Sequence, residues 1–453
     1  MVSGRVRQYF YSIICHLSVI VASAAFSWFE PLTIRLTEDP ELNFTSEDIS
    51  WLVTAIEFGA IIGPFLSGYL TDKIGRKYVI MSIGPLCLAG WILVLCSKSM
   101  LSLIMVRILH GLAVGGAYTI TPIYAAEIAE PKLRGSITGI YQITSYIGTT
   151  YAFSVGPYLS YDMFAYACLP LPIINTIIWI YVPETPYYLL MTKHDNEAKD
   201  VLKYFRNGDI EEEFQDMQKA VAEQMSTKGS WKILFCDKVE RKALIIVQIV
   251  AMAKYLTGMT VFLNYALDSF SKSGSFHIIS AEEMTILMEV LPAVIAIFAI
   301  FMSDWIGRKP LLLVSCFGCF MAHFLTGGYY YIHEKTTLDA SNFTWALYIG
   351  FFVYCIFSDI GVGPLLETLQ SEMFGAKTRG IACGFTQGFA GVLSLIVIKI
   401  YTPINEHYGV YLNYWFYSLV ALICGLLLSL LMYETAGKKI GQMEDRPWDK
   451  AFA

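Results

Sequence analysis

The segment Asp72-Lys73-Ile74-Gly75-Arg76-Lys77 returns as Asp304-Trp305-Ile306-Gly307-Arg308-Lys309, each copy a short charged turn between two long apolar stretches. Two other pairs recur at a similar offset. Glu127 and Glu372 are each followed by Arg-Gly, at Arg134-Gly135 and Arg379-Gly380, and Pro183-Glu184-Thr185 is echoed by Tyr433-Glu434-Thr435. All the offsets are near half the chain length, so the chain reads as a duplication. Within each turn, Gly75 and Gly307 supply the backbone freedom that a tight reversal needs. Arg76, Lys77, Arg308 and Lys309 sit at helix ends, and Asp72 and Asp304 are expected to accept from an arginine or from the first amides of a neighbouring helix. A bare topology signal would need the bases alone, whereas both copies keep the acid and the glycine.

Composition says where these turns sit. Of the 453 residues, 55% are hydrophobic and 15% charged, well below the charged fraction of about 25% usual in soluble domains. The apolar residues fall in nearly uncharged runs of roughly 20, the length that crosses about 30 Å of hydrocarbon as a helix. Twelve such spans are predicted, at 11–29, 51–70, 79–95, 101–123, 137–159, 163–182, 243–263, 284–302, 311–331, 345–366, 381–401 and 411–432. The first is followed by a second span and is kept as a helix, not a removable signal. The fold class expected is an all-α membrane protein of two pseudo-symmetric six-helix bundles. Repeated membrane halves with charged turns on one side are the architecture of a secondary transporter.

Orientation follows the bases. Arg5, Arg7, Lys73, Arg76, Lys77, Lys132 and Arg134 mark the inner face. The loop from Glu30 to Ser50 holds Glu30, Glu38, Asp39, Glu41, Glu47 and Asp48 against Arg35, and is placed outside. The sequons at Asn43 and Asn342 fall on that outer face, as glycosylation requires. Both termini are then cytosolic and the plasma membrane is the expected location. The amino-terminal bundle is 1–182, the carboxyl-terminal bundle 242–436 and a cytosolic tail 437–453. The polar stretch 183–241 reads as a linker of short amphipathic helices that either tethers the bundles or braces them on the charged turns. The ten cysteines are scattered, mostly inside spans, and read as small buried hydrophobes. The net charge of -6 calls for no nucleic-acid partner, because the acids concentrate in loops. No phosphate loop, metal-ligand cluster or nucleophile constellation is found, so no cofactor or metal is expected and an enzyme or primary pump is disfavoured.

Glu127 is expected to face Arg76, and Glu372 to face Arg308, with Arg134 and Arg379 nearby and Glu184 and Glu434 at matching places. These residues form a cytosolic gate of ion pairs worth about 0–1 kcal/mol each when exposed, enough to tip two nearly equal states. The small-residue pairs Gly59 and Gly63, and Gly111 and Gly115, mark close helix crossings. His16, His110 and His323 are isolated on apolar spans and are expected to be satisfied by nearby carbonyls or hydroxyls. Glu57, in the second span, is expected to bond a neighbouring helix.

The segments Gly68 to Lys77, Arg107-x-x-x-Gly111, Tyr124-x-x-Glu127 through Arg134-Gly135, Pro183-Glu184-Thr185-Pro186 and Glu434-Thr435-x-Gly437-Lys438 together resemble the sugar porter branch of the major facilitator superfamily. Ser27-Trp28 and the loop lengths are most similar to its insect facilitated trehalose transporter group. The resemblance implies alternating access with a sugar bound between the halves, and a small polar solute as partner. Gln142 matches the family's sugar-binding glutamine, the plainer alternative being a contact between helices. In the seventh span the family's Gln-Gln-x-Ser-Gly-x-Asn becomes Lys254-Tyr255-Leu256-Thr257-Gly258-Met259-Thr260, and in the tenth Gly-Pro-x-Pro-Trp becomes Gly363-Pro364-Leu365-Leu366-Glu367. The candidate substrate-binding residues are therefore Gln142, Lys254, Tyr255, Thr257, Glu367 and Trp28. Lys254 and Glu367 are expected to pair, with Asp359 as a rival partner, because charges at that depth are costly alone. The pair is either a wall contact or a reader of a charged solute. The first span lacks the acid of the family's proton-coupled members, which favours facilitated diffusion. Proton symport and a non-transporting sugar sensor stay open as alternatives. A monomer is expected.

Overall fold

The computed structural model describes residues 4–32, 36, 44–130, 133–206, 210–226, 231–262, 265, 281–338, 343–374 and 378–434. Asn43, Asn342 and the tail 437–453 lie outside the described residues, as do the side chains of Arg134, Asp304, Glu372 and Arg379.

Helices dominate the described residues, and ten of those helices are long and apolar enough to cross a membrane. In order they are Gly4–Leu32, Glu47–Ile74, Arg76–Cys96, Met100–Ile128, Tyr161–Tyr181, Lys238–Phe262, Arg308–Lys335, Thr344–Gln370, Gly380–His407 and Val410–Leu431. The helices Arg134–Val155 and Ala281–Ile306 occupy the fifth and eighth places of the twelve. The fifth is rich in Gly, Ser, Thr and Gln, which lowers its hydropathy without breaking its helix.

Local chemistry sets the ends. Thr45 caps the second span with a reciprocal box, its hydroxyl accepting from Asp48 N while the Asp48 carboxylate accepts from Thr45 N, an arrangement that satisfies two otherwise unpaired donors. Gly75 and Gly307 separate spans two from three and eight from nine, both at φ +99, a conformation open in practice to glycine. The second and fourth spans cross backbone to backbone. A Cβ at Gly63 would lie 2.9 Å from Leu112 O and 3.0 Å from the Gly115 Cα.

Two compact units result. The first comprises the described parts of Met1–Thr227, Thr260–Ala293 and Ser394–Thr402. Its core joins Val21, Ala22, Ile83, Ala117, Tyr124 and Trp179 with Phe205 from the linker. The second comprises those of Lys228–Met259, Val294–Leu393 and Pro403–Ala453, packed around Ile246, Val250, Leu312, Leu366, Leu369 and Leu428. The linker is a structured element. Its helices Pro186–Met191, Asp195–Phe205 and Glu211–Ser226 share a small core of Leu190, Leu202, Ile210 and Phe214. They are anchored to the amino-terminal spans where Gln8 donates to Phe205 O at 2.9 Å and Arg206 to Ile128 O at 2.9 Å.

Two of the described carboxyl-terminal spans are interrupted. The seventh is helical over Lys238–Tyr255, turns at Leu256 to Gly258, and resumes at Met259. Gly258 has φ +82, and a Cβ there would strike the ring of Tyr417. The tenth passes through a π-turn at Ser358–Val362 before restarting at Gly363. Pro364 has no N–H and its ring crowds the carbonyl four residues back, and the gap is filled by Ser315, whose hydroxyl donates to Phe357 O at 2.5 Å and accepts from Val362 N at 3.0 Å.

Candidate functional site

The repeated turns are built twice on one plan. In the first, the Glu184 carboxylate sits over the start of the third span and accepts from Lys77 N at 3.1 Å, while the Lys77 ammonium donates to Ile180 O at 3.0 Å. In the second, Glu434 accepts from Arg308 N at 2.8 Å and Lys309 N at 3.1 Å, and the Lys309 ammonium donates to Ser429 O and Met432 O at 2.9 and 2.7 Å. A carboxylate at a helix amino terminus meets unpaired N–H groups and the positive end of the dipole. The glycine makes room for it. A Cβ on Gly75 would overlap a Glu184 oxygen, and one on Gly307 would lie 2.7 Å from a Glu434 oxygen.

The acceptor of the helix amides is therefore the glutamate of the Pro-Glu-Thr and Tyr-Glu-Thr pairs, and of the two partners the sequence left open for Asp72, an arginine or helix amides, it meets the arginine. Asp72 is two-thirds exposed and only reaches Arg76 at 3.9 Å. It lies on the helix that ends at the turn, whereas the amides open the next helix.

Arg76 is 4% exposed and turns inward to Glu127, with Nε 3.1 Å and Nη2 3.1 Å from the carboxylate. Glu127 also accepts from the Thr185 hydroxyl at 2.5 Å. Tyr124, one helical turn before it, donates to Pro183 O at 2.8 Å. Three sequence motifs thus meet in one hydrogen-bonded cluster at one end of the amino-terminal helices. Burial pushes the Glu184 carboxyl above the usual range, although the amides of Thr185 and Lys77 and the charge of Arg76 act against it. Thr185 and Tyr124 are working members of this cluster that the sequence reading left without a role.

The carboxyl-terminal interruptions carry the second site. Lys254 is the penultimate residue of its helix, 7% exposed, and its ammonium donates to Gly363 O at 2.9 Å and to Glu367 at 3.2 Å. A cation is favoured at a helix carboxyl end, and Gly363 O is a carbonyl at the π-turn. The ion pair is with Glu367, Asp359 acting on Lys254 as a weaker electrostatic neighbour, and it joins neighbouring spans of the same unit. The Glu367 side chain remains 37% exposed, so the carboxylate is held on one side and open on the other. The Lys254 ammonium also lies 5.7 Å from the Tyr255 ring centre.

Gln142 is half-buried on the fifth span, and among the described residues its amide has no hydrogen-bond partner. Thr257 is different: its hydroxyl donates back to Ala253 O at 2.7 Å and it is 2% exposed. Trp28, expected beside a solute, is fully buried. Its indole donates to His110 Nδ1 at 3.0 Å and packs on Trp91, which is a core role. A helix that is apolar all round does not reveal in its sequence which face meets solute. His16 Nδ1 is bonded to Ser12 O at 2.7 Å and His323 to the backbone of Thr257, while the Nε2 of each is buried without a hydrogen-bond partner among the described residues.

Comparison with known proteins places the whole chain. A facilitated trehalose transporter of Apis mellifera ligustica is 25% identical over 97% of this chain and 88% of its own length, and one from Bombyx mori is 26% identical over 90% and 81%. Among solved structures, a proton:xylose symporter of the major facilitator superfamily, bound to 6-bromo-6-deoxy-D-glucose, superposes with TM-score 0.77 at 20% identity, covering 95% of this chain and 96% of that one. The inward open xylose transporter XylE from E. coli gives 0.79 at 17% identity, covering 96% and 99%. Residues 8–446 match the model of the Sugar (and other) transporter family, and the chain therefore belongs to that family: a multi-pass membrane transporter of the major facilitator fold, helical in its described spans, not an enzyme.

Proposed function

We propose that this protein is a facilitated-diffusion carrier for a neutral sugar or polyol in the plasma membrane, working by alternating access with both termini in the cytosol. The solute class rests on a polar group in each unit taken by itself: in the first the Gln142 amide, unpartnered among the described residues, and in the second the side of the Glu367 carboxylate that Lys254 leaves open. Each hydroxyl taken out of water must be given a donor or an acceptor. An amide offers both, and a carboxylate fixed by Lys254 offers two acceptor oxygens spaced for neighbouring hydroxyls of one ring. Lys254 is engaged by Gly363 O and Glu367, so the two charges neutralise each other and the site favours a neutral solute over an ionic one. The names of the sequence relatives, facilitated trehalose transporters, agree with a neutral polyhydroxyl compound. The first span carries no acid between Tyr11 and Phe29, which supports passive transport over proton symport. The inner cluster of Arg76, Glu127, Glu184, Thr185 and Lys77, with its counterpart at Glu434, Arg308 and Lys309, serves as the cytosolic gate.

Purified protein in liposomes, assayed for uptake of labelled trehalose and glucose in competition with sugars, polyols and amino acids, tests this. Inhibition by polyhydroxyl compounds and not by amino acids, lost in Gln142→Ala, is expected. Competition by amino acids alone would refute the solute class.

A further inference from the structure

We propose that Glu57, Ser394 and Thr260 form a latch toward the membrane face opposite the Gly75 and Gly307 turns, and that the seventh and eleventh spans part from the second only when it breaks. The inference rests on the alternating-access reading and names the contact that holds one side shut.

Ser394 Oγ lies 2.8 Å from Glu57 Oε1 and 2.8 Å from Thr260 Oγ1. A serine has one hydroxyl hydrogen. Ser394 gives it to the carboxylate, and its oxygen then accepts from Thr260, so the chain runs from Thr260 through Ser394 to Glu57. All three are sealed, at 4%, 1% and 4% exposure for Glu57, Ser394 and Thr260. A carboxylate in such a place is held by its partners or it is costly. Arg107, in electrostatic contact with Glu57, donates to Leu52 O at 3.0 Å and Phe26 O at 2.9 Å and so fixes the surrounding ends of the first and second spans.

A second contact follows the same line. The Lys399 ammonium lies 3.8 Å from the Trp51 ring centre, and cations over tryptophan faces attract by about 0.5–2 kcal/mol. Trp51 precedes Glu57 by six residues and Lys399 follows Ser394 by five, so the second and eleventh spans run antiparallel side by side for about 9 Å at 1.5 Å per residue. The rings of Tyr265 and Tyr401 meet at a tilt, 4.8 Å between centres. These contacts explain why residues from 260 and from 394 group with the amino-terminal helices while the rest of their spans group elsewhere. When they part, Glu57 loses its hydroxyl donor to water.

The test uses the full chain with Cys96, Cys236 and Cys383 replaced by serine and spin labels at Tyr158→Cys and Leu338→Cys, both beyond helix ends opposite the glycine turns. Pulsed dipolar distances are recorded in liposomes. Ser394→Ala and Glu57→Ala are expected to raise the long-distance population at least threefold. Ser418→Ala, which removes a hydroxyl bonded to Phe320 O in the second unit, should leave it unchanged. Ser394→Ala deletes one oxygen and opens no large cavity, so it stays informative should Glu57→Ala fold poorly. Unchanged distances in Ser394→Ala and in whichever Glu57 variant folds, with sugar flux intact, would overturn the latch and spare the transport reading. A raised long-distance population without any sugar flux would support the latch and count against transport.

Discussion

Replacing Gly75 with alanine tests whether glycine is demanded by the Glu184 carboxylate or only by the backbone. The φ of +99 belongs to a region that is nearly closed to other residues and costs about 1–3 kcal/mol. The added Cβ would also overlap a Glu184 oxygen, displacing the carboxylate from Lys77 N, and hydrogen bonds to a charged group contribute about 1.5–3 kcal/mol. Gly75→Ala should therefore destabilise by roughly 2.5–6 kcal/mol from these two sources. In a Glu184→Ala background the second part has already gone, so the same substitution should cost only the backbone share. Midpoints of thermal unfolding in one detergent, for the four corners of the cycle, measure the difference, and a coupling of about 1–3 kcal/mol is expected for residues in contact. Gly68→Ala, with open space around its Cβ, is the control and should do nearly nothing. Additive losses at Gly75 and Glu184 would refute the argument, as would a cycle at Gly307 and Glu434 that behaves differently.

The other expectations concern charge and solute. Glu367→Ala leaves Lys254 buried with only Gly363 O and should destabilise by about 3–5 kcal/mol, while Lys254→Ala leaves a half-exposed acid and should cost less. Thermal midpoints showing the double variant no worse than Glu367→Ala would bear out the pair, and additive losses would reject it. Gln142→Ala should cut sugar uptake at least tenfold with an unchanged melting profile, because the amide holds nothing in place among the described residues; a lower melting temperature with normal uptake would make it a packing contact. For Glu184 the folded pKa is raised by burial, so its contribution to stability is complete below the ordinary value of about 4.3 and is lost as pH rises through the raised value. The melting temperature of wild type minus that of Glu184→Gln should thus be largest in acid and shrink toward neutral pH, and a difference that grows with pH would contradict the assignment.

How much of this was legible in the sequence depends on the range of the contact. The spans and the paired turns were readable because hydropathy runs and the Gly-Arg-Lys repeat are local. The helix-capping acid stayed undecided between Asp72 and other groups, since Asp72 lies beside the turn in sequence while Glu184 arrives from more than a hundred residues away. The repeated Glu-Thr pair was visible at the right offset and was the available signal. Lys254 and Glu367 could be paired from cost alone, because two opposite charges inside apolar spans seek each other. The three-span chain from Thr260 to Glu57 could not, because Ser and Thr in helices ordinarily bond their own backbone, as Thr257 does. Trp28 was misplaced for a related reason: its partner His110 lies on another helix.

Solute counterflow tests the central claim most directly. Liposomes holding the purified protein and a high concentration of unlabelled trehalose or glucose are diluted into a trace of the labelled sugar, with and without a collapsed pH gradient. A passive alternating-access carrier must draw the label inward transiently above its outside concentration, and do so equally in both conditions. Label that binds without ever accumulating, or that accumulates only while a pH gradient is maintained, would contradict the account.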